Sequence, residues 1–492
     1  MDKQKNNTCP SVKSVSKGFY AGLRPQLARQ NRAARLAGLC DWLRIPSVST
    51  LPEHAEDVCR AAQWLADYLH GLGLERVDLV ETKGHPIVHA EHTGLDAPTL
   101  LLYGHFDVQP PDPLEEWRSP PFEPQVIGDD LYGRGTADDK GQFFALLAAL
   151  ESYLKTSSRL PVNVKVLAEG EEEVLSPNLP IFLRQRKDDL RADVVLIADQ
   201  EMLDPQVPVI MYGVRGNAYL ELEVRGPKRD LHSGTFGGAV DNPFNVLVRL
   251  LAALQDGSTR RVLIPGFYDR VRPLAAEERQ LIAKAPITEA VGLYLTGAPA
   301  LGGESGYSLA ERVSVRPTLD IHGILGGFTG EGGKTVIPSK ATAKLSMRLV
   351  PDQDPEEIIR LAEAYLRSLL PPTVTLEVRV IGTAMPVVVD TNVAPIRFAA
   401  QAYARGFDAS PVYLRGGGSL PIVRDMIDVL SQPGRGDIPI VMIGFGLPDD
   451  NTHAPNEKLH LPNFYKGIET VIHYMDIMAS SPFSTRIPRM GD

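Results

Sequence analysis

Apolar residues along this chain fall into three rhythms, and each predicts a different kind of element. From Pro25 to Leu43 and from His54 to Leu72 they recur every three or four positions, as in amphipathic helices, and Gly71 and Gly73 mark where the second should stop. Strand-like segments follow at Val77–Val80 and Ile87–His92, and then come largely apolar runs at Leu100–Tyr103, Val162–Ala168 and Val194–Ala198. Such runs predict strands buried on both faces. A helix is expected over Gln142–Leu154 and a proline- and acid-rich surface loop over Pro110–Pro124. Strands alternating with helices predict a mostly parallel sheet covered by helices, an α/β fold.

Near Tyr212 the rhythm changes to strict alternation. Asn217–Val224, Ser314–Ile324, Ala341–Val350 and Val374–Ile381 read as half-exposed strands, and Pro243–Leu254 and Asp354–Leu370 as helices. A long irregular insertion reaches to about Ser308. The order strand–helix–strand–strand–helix–strand is that of a ferredoxin-like α+β unit, expected to form a separate inserted domain. After about Gly382 the buried style returns, with a helix over Asn392–Arg405, a loop at Gly416–Pro421 opening a helix, a strand at Ile438–Ile443 and a helix at Phe464–Met478. The expected division is therefore a discontinuous domain over 19–212 and 383–480, an insert over 213–382, a disordered polar tail over 1–18 and a second tail over 481–492.

Composition narrows the class. A chain of 492 residues exceeds what one core supports, so more than one domain is required. The 51 basic and 61 acidic residues leave a net charge of −10, without the basic footprint of a nucleic-acid binder. Cys9, Cys40 and Cys59 are odd in number and lack C-x-x-C spacing, against a disulfide scaffold or a cysteine-built zinc site. The N-terminus carries no apolar signal core, and no apolar run reaches 18 residues. A cytoplasmic protein without a membrane segment is expected.

The candidate chemistry lies where strands end. Ligands of open α/β sheets gather outside the carboxyl ends of the strands. There this chain delivers His105, with Asp107 two residues on, then Glu172 and Glu173, then Asp199, and His453 in the loop beyond Ile438–Ile443. Asp138 joins them from a glycine-rich turn entering a helix. Two imidazoles and three carboxylates form the N/O donor set of Zn²⁺ or Mn²⁺. Sharing one carboxylate between two ions would make a two-metal hydrolytic site, with the spare glutamate as general base. Taken singly, each residue has an ordinary explanation: a solvated acidic turn at 169–173, a helix cap at Asp138–Asp139, a cap at Asp199, a loop histidine at 453. Their joint appearance at strand ends argues against coincidence.

The motifs GHFDVQP, WRSPPFEP, LYGRGTADDKG, EGEEE, DLHSG, HGILGGFTGEGGKTVIP, MRLVP, GGGSLP and THAPNEK run in order over roughly residues 25 to 480. With them the chain resembles the co-catalytic, binuclear zinc metallopeptidase family of carnosine dipeptidase, carboxypeptidase G, acetylornithine deacetylase and succinyl-diaminopimelate desuccinylase. Within it the chain looks most like the carnosinase-like dipeptidases. The resemblance implies a zinc-exopeptidase-like catalytic domain with an inserted lid and dimerisation domain. It implies two divalent ions per subunit, Zn²⁺ with Mn²⁺ or Co²⁺ as alternatives, bridged by Asp138. His105 and Asp199 would complete one ion's site, and Glu173 and His453 the other's. Asp107 would orient His105, and Glu172 would activate a metal-bridging water. The run Glu171–Glu173 offers two registers, and the family pattern EGxEE selects Glu172 and Glu173. His232 would reach the active site of the partner subunit of a homodimer and stabilise the oxyanion. Arg348 would receive the substrate carboxylate, and Thr335 and Ser419 would line the pocket. The peptide between Asp138 and Asp139 would be cis. The expected activity is metal-dependent hydrolysis of dipeptides or short peptides with a free C-terminal carboxylate. The alternatives are deacylation of N-acyl amino acids and, from another class, an inactive binding relative, which would be expected to have lost a ligand or the base. The insertion near residues 258–308 favours the longer dipeptidases, while Met385–Val389 departs from the tryptophan-bearing carnosinase pattern.

Overall fold

A computed structural model describes residues 31–481, so the expected tail over 1–18, the first residues of the helix expected from Pro25 and the tail beyond 481 lie outside the described residues. The chain forms two compact units. Among the described residues, one comprises 31–210 with 390–411 and 425–481; the other comprises 211–389 with 412–424.

In the first unit the sheet runs in the order Arg76–Val80, Ile87–His92, Asn163–Glu169, Thr99–His105, Val194–Ala198, Ile440–Ile443. Thr99–His105 lies parallel to both neighbours, and Ile440–Ile443 is parallel to Val194–Ala198. The two strands at the other edge join antiparallel, which the apolar runs alone did not distinguish. Val164–Ala168, Leu100–Tyr103 and Val194–Ala198 are buried, as expected for strands covered on both faces. The helix Lys140–Ser157 is buried on every side from Lys140 to Tyr153 because it also packs against the helix Leu461–Ser480. Its entry demands glycine twice. A Cβ on Gly141 would fall 1.9 Å from the Thr136 carbonyl oxygen, and one on Gly104 would fall 2.3 Å from the Phe143 ring.

The second unit contains the expected split arrangement. Thr318–Gly326, Lys340–Leu349, Gly216–Arg225 and Thr375–Ala384 form an antiparallel sheet in that order. Pro243–Ala252 and Pro355–Ser368 cover one face, burying Leu220, Leu222, Leu247, Leu345, Met347 and Ile358. Both helices begin with proline in the first turn after a capping Asn242 or Asp354, each of which accepts a backbone N–H.

Three expectations need correction. The insertion before Ser308 is not wholly irregular, since Ala276–Ile282 and Glu289–Thr296 are helical. The strand expected from Ser314 begins only at Thr318, because Leu309–Ser314 is a helix started by a reciprocal capping box between Ser308 and Glu311. Strands at Val209–Val214 and Val412–Gly416 pair with one another and were not anticipated. Both are short, and the second is crowded by glycines.

Candidate metal centre

The sheet register explains why the first unit's polar residues meet. His105 lies level with Glu169, and Tyr103 faces Ile197, which puts Asp199 level with His105 on the other side. The turn before Lys140–Ser157 then adds Asp138, whose peptide bond to Asp139 is cis. The loop after Ile440–Ile443 adds His453, which stands at φ +60°, between Asn451 at +54° and Asn456 at +64°. A left-handed histidine costs roughly 1–2 kcal/mol, so its retention here points to a demand on where the imidazole sits.

Two groups of potential ligands result. His105, Asp138 and Asp199 form one, and Asp138, Glu173 and His453 the other. Within each group the ligand atoms all lie within 4.8 Å of one another. Asp138 belongs to both and divides its oxygens between them: Oδ1 lies 3.1 Å from His105 Nε2, and Oδ2 lies 2.9 Å from His453 Nε2. His453 Nε2 is also 3.2 Å from Glu173 Oε2.

Asp107 is the organiser underneath. Its carboxylate, fully buried, accepts the backbone N–H of Glu172 at 3.2 Å, that of Glu173 at 3.1 Å and the Ser49 hydroxyl at 2.6 Å. His105 Nδ1 lies 3.5 Å from Asp107 Oδ1 and 3.1 Å from its carbonyl oxygen, which leaves Nε2 turned toward Asp138. Glu171 is occupied elsewhere, accepting from the His85 N–H and the Asn178 amide, so of the three glutamates it is Glu173 that joins the cluster. Glu172 belongs to neither group, and its carboxylate has no hydrogen-bond partner among the described residues.

The electrostatics are those of an overfilled anionic pocket. Burial, with Asp138's charge beside it, pushes Asp199 well above the usual carboxylate range. Burial likewise raises Glu172 to about 7, against the opposing charge of His105. Burial would raise Asp138 too, but the His105 and His453 rings beside it hold it low. Hydrogen bonds to Asp138 and Glu173 drive His453 up to about 10. His105 is held protonated by Asp107 and Asp138 despite its burial. Among the buried polar atoms left without a hydrogen bond are Glu173 Oε1 and His105 Nε2, the latter facing Asp138 Oδ1 at 3.1 Å without hydrogen-bond geometry. Such orphans are costly in a protein interior, and both belong to the two ligand groups. An N/O donor set with no thiolate, an unpartnered carboxylate oxygen and surplus carboxylates fits two divalent cations.

The second unit holds the other expected residues. His232 is exposed and caps the short helix Ser233–Phe236, its Nδ1 accepting the Gly234 N–H at 2.9 Å. An accepting Nδ1 leaves the neutral ring's proton on Nε2, available for donation. Its strand pairs with Val336–Ile337, and the Ser233 N–H reaches the Thr335 carbonyl at 3.1 Å, so Thr335 adjoins His232 through the backbone. Arg348 Nη1 donates to Ser419 Oγ at 3.0 Å, bringing those two together.

Sequence reasoning gave no role to two residues that the structure brings forward. Gln109, inside GHFDVQP, donates from Nε2 to Glu173 Oε2 at 2.8 Å; its place four residues after His105 was the available signal. Arg215 donates to the Gly417 carbonyl at 2.9 Å, and burial with Arg348's charge lowers it to about 10. Nothing in its local sequence marks it.

Residues 101–476 match the model of peptidase family M20/M25/M40. The chain belongs to that family. It is 32% identical over 454 residues to the Cys-Gly metallodipeptidase DUG1 of Candida albicans, covering 88% of this chain and 92% of the relative. It is 30% identical over 449 residues to the Beta-Ala-His dipeptidase of Rattus norvegicus, covering 87% and 89%. Among solved structures, the di-peptidase Dug1p of Saccharomyces cerevisiae superposes with a TM-score of 0.81 at 28% identity, over 94% of this chain and 99% of that one. Family and fold make the chain a metallopeptidase, a hydrolase of the peptide bond.

The protonated imidazoles dictate how metal uptake must respond to pH. His453, raised to about 10, holds a proton at neutral pH that a cation has to displace. Affinity should therefore rise with pH up to about 10. Calorimetric titration of metal-free protein at pH 7, in buffers of different ionisation heat, should show release of at least one proton per chain; release of none would contradict this electrostatic picture.

Proposed function

We propose that the chain is a binuclear metallo-dipeptidase that cleaves dipeptides or short peptides bearing a free C-terminal carboxylate. The observation that carries this reading is the division of Asp138, one oxygen toward each imidazole, with Glu172 left uncommitted beside both groups. The named activities of the Candida and rat relatives support the dipeptide as substrate.

Two divalent ions, when bound, supply a Lewis-acid field that polarises the scissile carbonyl and lowers the pKa of the attacking water toward about 7. His105, Asp199 and Asp138 would hold one ion, and Asp138, Glu173 and His453 the other; we take the metal as Zn²⁺, with Mn²⁺ or Co²⁺ as alternatives. Glu172 removes a proton from the water at its carboxylate and returns it to the leaving nitrogen. Its carboxylate, beside both ligand groups and held by no other side chain among the described residues, is free for both halves of that exchange. Asp107 keeps the Glu172–Glu173 turn in register with His105. His232 donates from Nε2 to the carbonyl oxygen as it gains charge, work typically worth about 3–4 kcal/mol. Arg348 receives the substrate carboxylate with its fixed fork, beside Ser419, while Thr335 lines the pocket.

The second unit is assigned as the inserted lid and dimerisation domain. In support, Thr318–Gly326 is an edge strand, and Ile321, Ile324, Leu325 and the following Phe328 are exposed. A second copy pairing there would supply His232 to its partner's site. No described helix is long and apolar enough to cross a membrane, and Cys40 and Cys59 are free, which supports a cytoplasmic setting.

Two experiments test this reading. Against a panel of dipeptides, N-acetyl amino acids and N-succinyl amino acids, the protein should turn over the dipeptides, and Glu172→Gln should retain two ions while kcat falls roughly 10²–10⁴-fold. Preference for an N-acyl substrate would install the deacylase reading, and a fully active Glu172→Gln would remove the assigned base. Mixing His232→Ala with Glu172→Gln should restore activity to a fraction of the wild-type level, because one site in the mixed dimer is intact. No recovery, in a mixture shown to exchange subunits, would exclude a shared site.

A further inference from the structure

The loop that carries His453 ends in a carboxylate to which none of the chemistry above gives a part. Glu457 is completely buried and does not belong to either ligand group. Its Oε2 accepts from Arg134 Nη1 at 2.7 Å and from the Gly135 N–H at 2.9 Å. Its Oε1 accepts the N–H of Ala137 at 2.9 Å and that of Asp138 at 3.1 Å. Its own carbonyl accepts the Gly133 N–H at 2.9 Å. One side chain thus gathers the amides of the turn that ends in Asp138, from a point more than 300 residues away in sequence.

Arg134 extends the connection. It is as buried as its partner, and its Nη2 donates to the carbonyls of Pro110 at 3.2 Å and Ala454 at 3.3 Å. Pro110 follows the His105–Asp107 segment, and Ala454 follows His453 directly. The turn between them tolerates no side chain at Gly135, which stands at φ +84° with Val108 Cγ1 2.8 Å from where a Cβ would lie. The Glu457–Arg134 pair therefore fastens three segments together: the one behind His105, the one in front of Asp138 and the one around His453.

We propose that Glu457 is a positioning residue for both ions at once. By gripping the Asp138 amide from the His453 loop, it sets the carboxylate shared by the two groups at a fixed distance from the imidazole that belongs to only one. The proposal rests on the binuclear reading of the site. It goes beyond that reading in assigning control of both ions to a residue that touches neither. A charge-neutral replacement of the same shape cannot satisfy the arrangement: whichever way glutamine turned, its NH2 would face donors, either Arg134 and the Gly135 N–H or the N–H groups of Ala137 and Asp138.

The test is the affinity of metal-free protein for Zn²⁺, measured by chelator competition, in the wild type, Glu457→Gln, Glu457→Asp and Glu173→Gln. Far-UV circular dichroism and metal-free melting temperature are recorded alongside. Glu173→Gln should weaken one ion. Glu457→Gln should weaken both, each by tenfold or more, at temperatures where its spectrum matches the wild type. Glu457→Asp, which keeps the charge, should recover part of the loss and serves as the test variant if the glutamine form does not fold. Wild-type protein that binds fewer than two ions overturns the binuclear reading, and the proposal with it. Two wild-type ions, with both affinities unchanged in the folded Glu457 variants, overturn the proposal alone. A lowered melting temperature without a change in either affinity does the same, by reducing Glu457 to a packing role.

Discussion

Asp138, Glu172, Glu173 and Asp199 are drawn into one pocket from three separate segments, and their mutual repulsion is the constraint that the site has to meet. Two like charges 4 Å apart repel by about 4 kcal/mol at the effective dielectric of a protein. Without cations the pocket answers by protonation: Asp199 and Glu172 rise through burial, and both imidazoles keep protons to hold Asp138 ionised. That state is a compromise, since His105 Nε2 and Glu173 Oε1 remain buried without hydrogen bonds. Two divalent ions would resolve both problems together, by cancelling the carboxylate charge and by displacing the imidazole protons to take up the ring nitrogens.

Holding so unfavourable a set in place requires rigidity from every direction. The parallel strands supply it for His105 and Asp199, whose relative height follows from the pairing of Tyr103 with Leu167 and Ile197. Asp107 supplies it for the glutamates, because one carboxylate receives the two amides that set Glu172 and Glu173 side by side. Gly104 lets the Phe143 ring close over the strand end, which brings the Asp138 turn near enough to share its oxygens. His453 arrives on a loop with three left-handed residues, conformational cost accepted to aim one imidazole.

Much of this was legible in the chain. Unbroken apolar runs such as Leu100–Tyr103 announced buried strands, and in a helix-covered sheet the residues just past such strands face the ligand crevice. His105 and Asp199 could therefore be picked out by position alone. Glu173 over Glu171 needed the family pattern, since all three glutamates look alike until Asn178 and His85 claim one of them. Arg134, Arg215 and Glu457 were silent because they act on groups distant in sequence, a relation that no local spacing records, whereas Gln109 was marked only by its place four residues after His105. The helix at Leu309–Ser314 was hidden by the alternating stretch after it, and only its Ser308–Glu311 box gives it away.

The central claim is that Asp138 bridges two metal ions. Crystals grown with Zn²⁺ and measured on both sides of the zinc absorption edge would test it most directly. The account predicts two anomalous peaks about 3.5–4 Å apart, one between His105 and Asp199 and the other between Glu173 and His453, with an oxygen of Asp138 on each. A single peak, or two peaks without Asp138 between them, would contradict it.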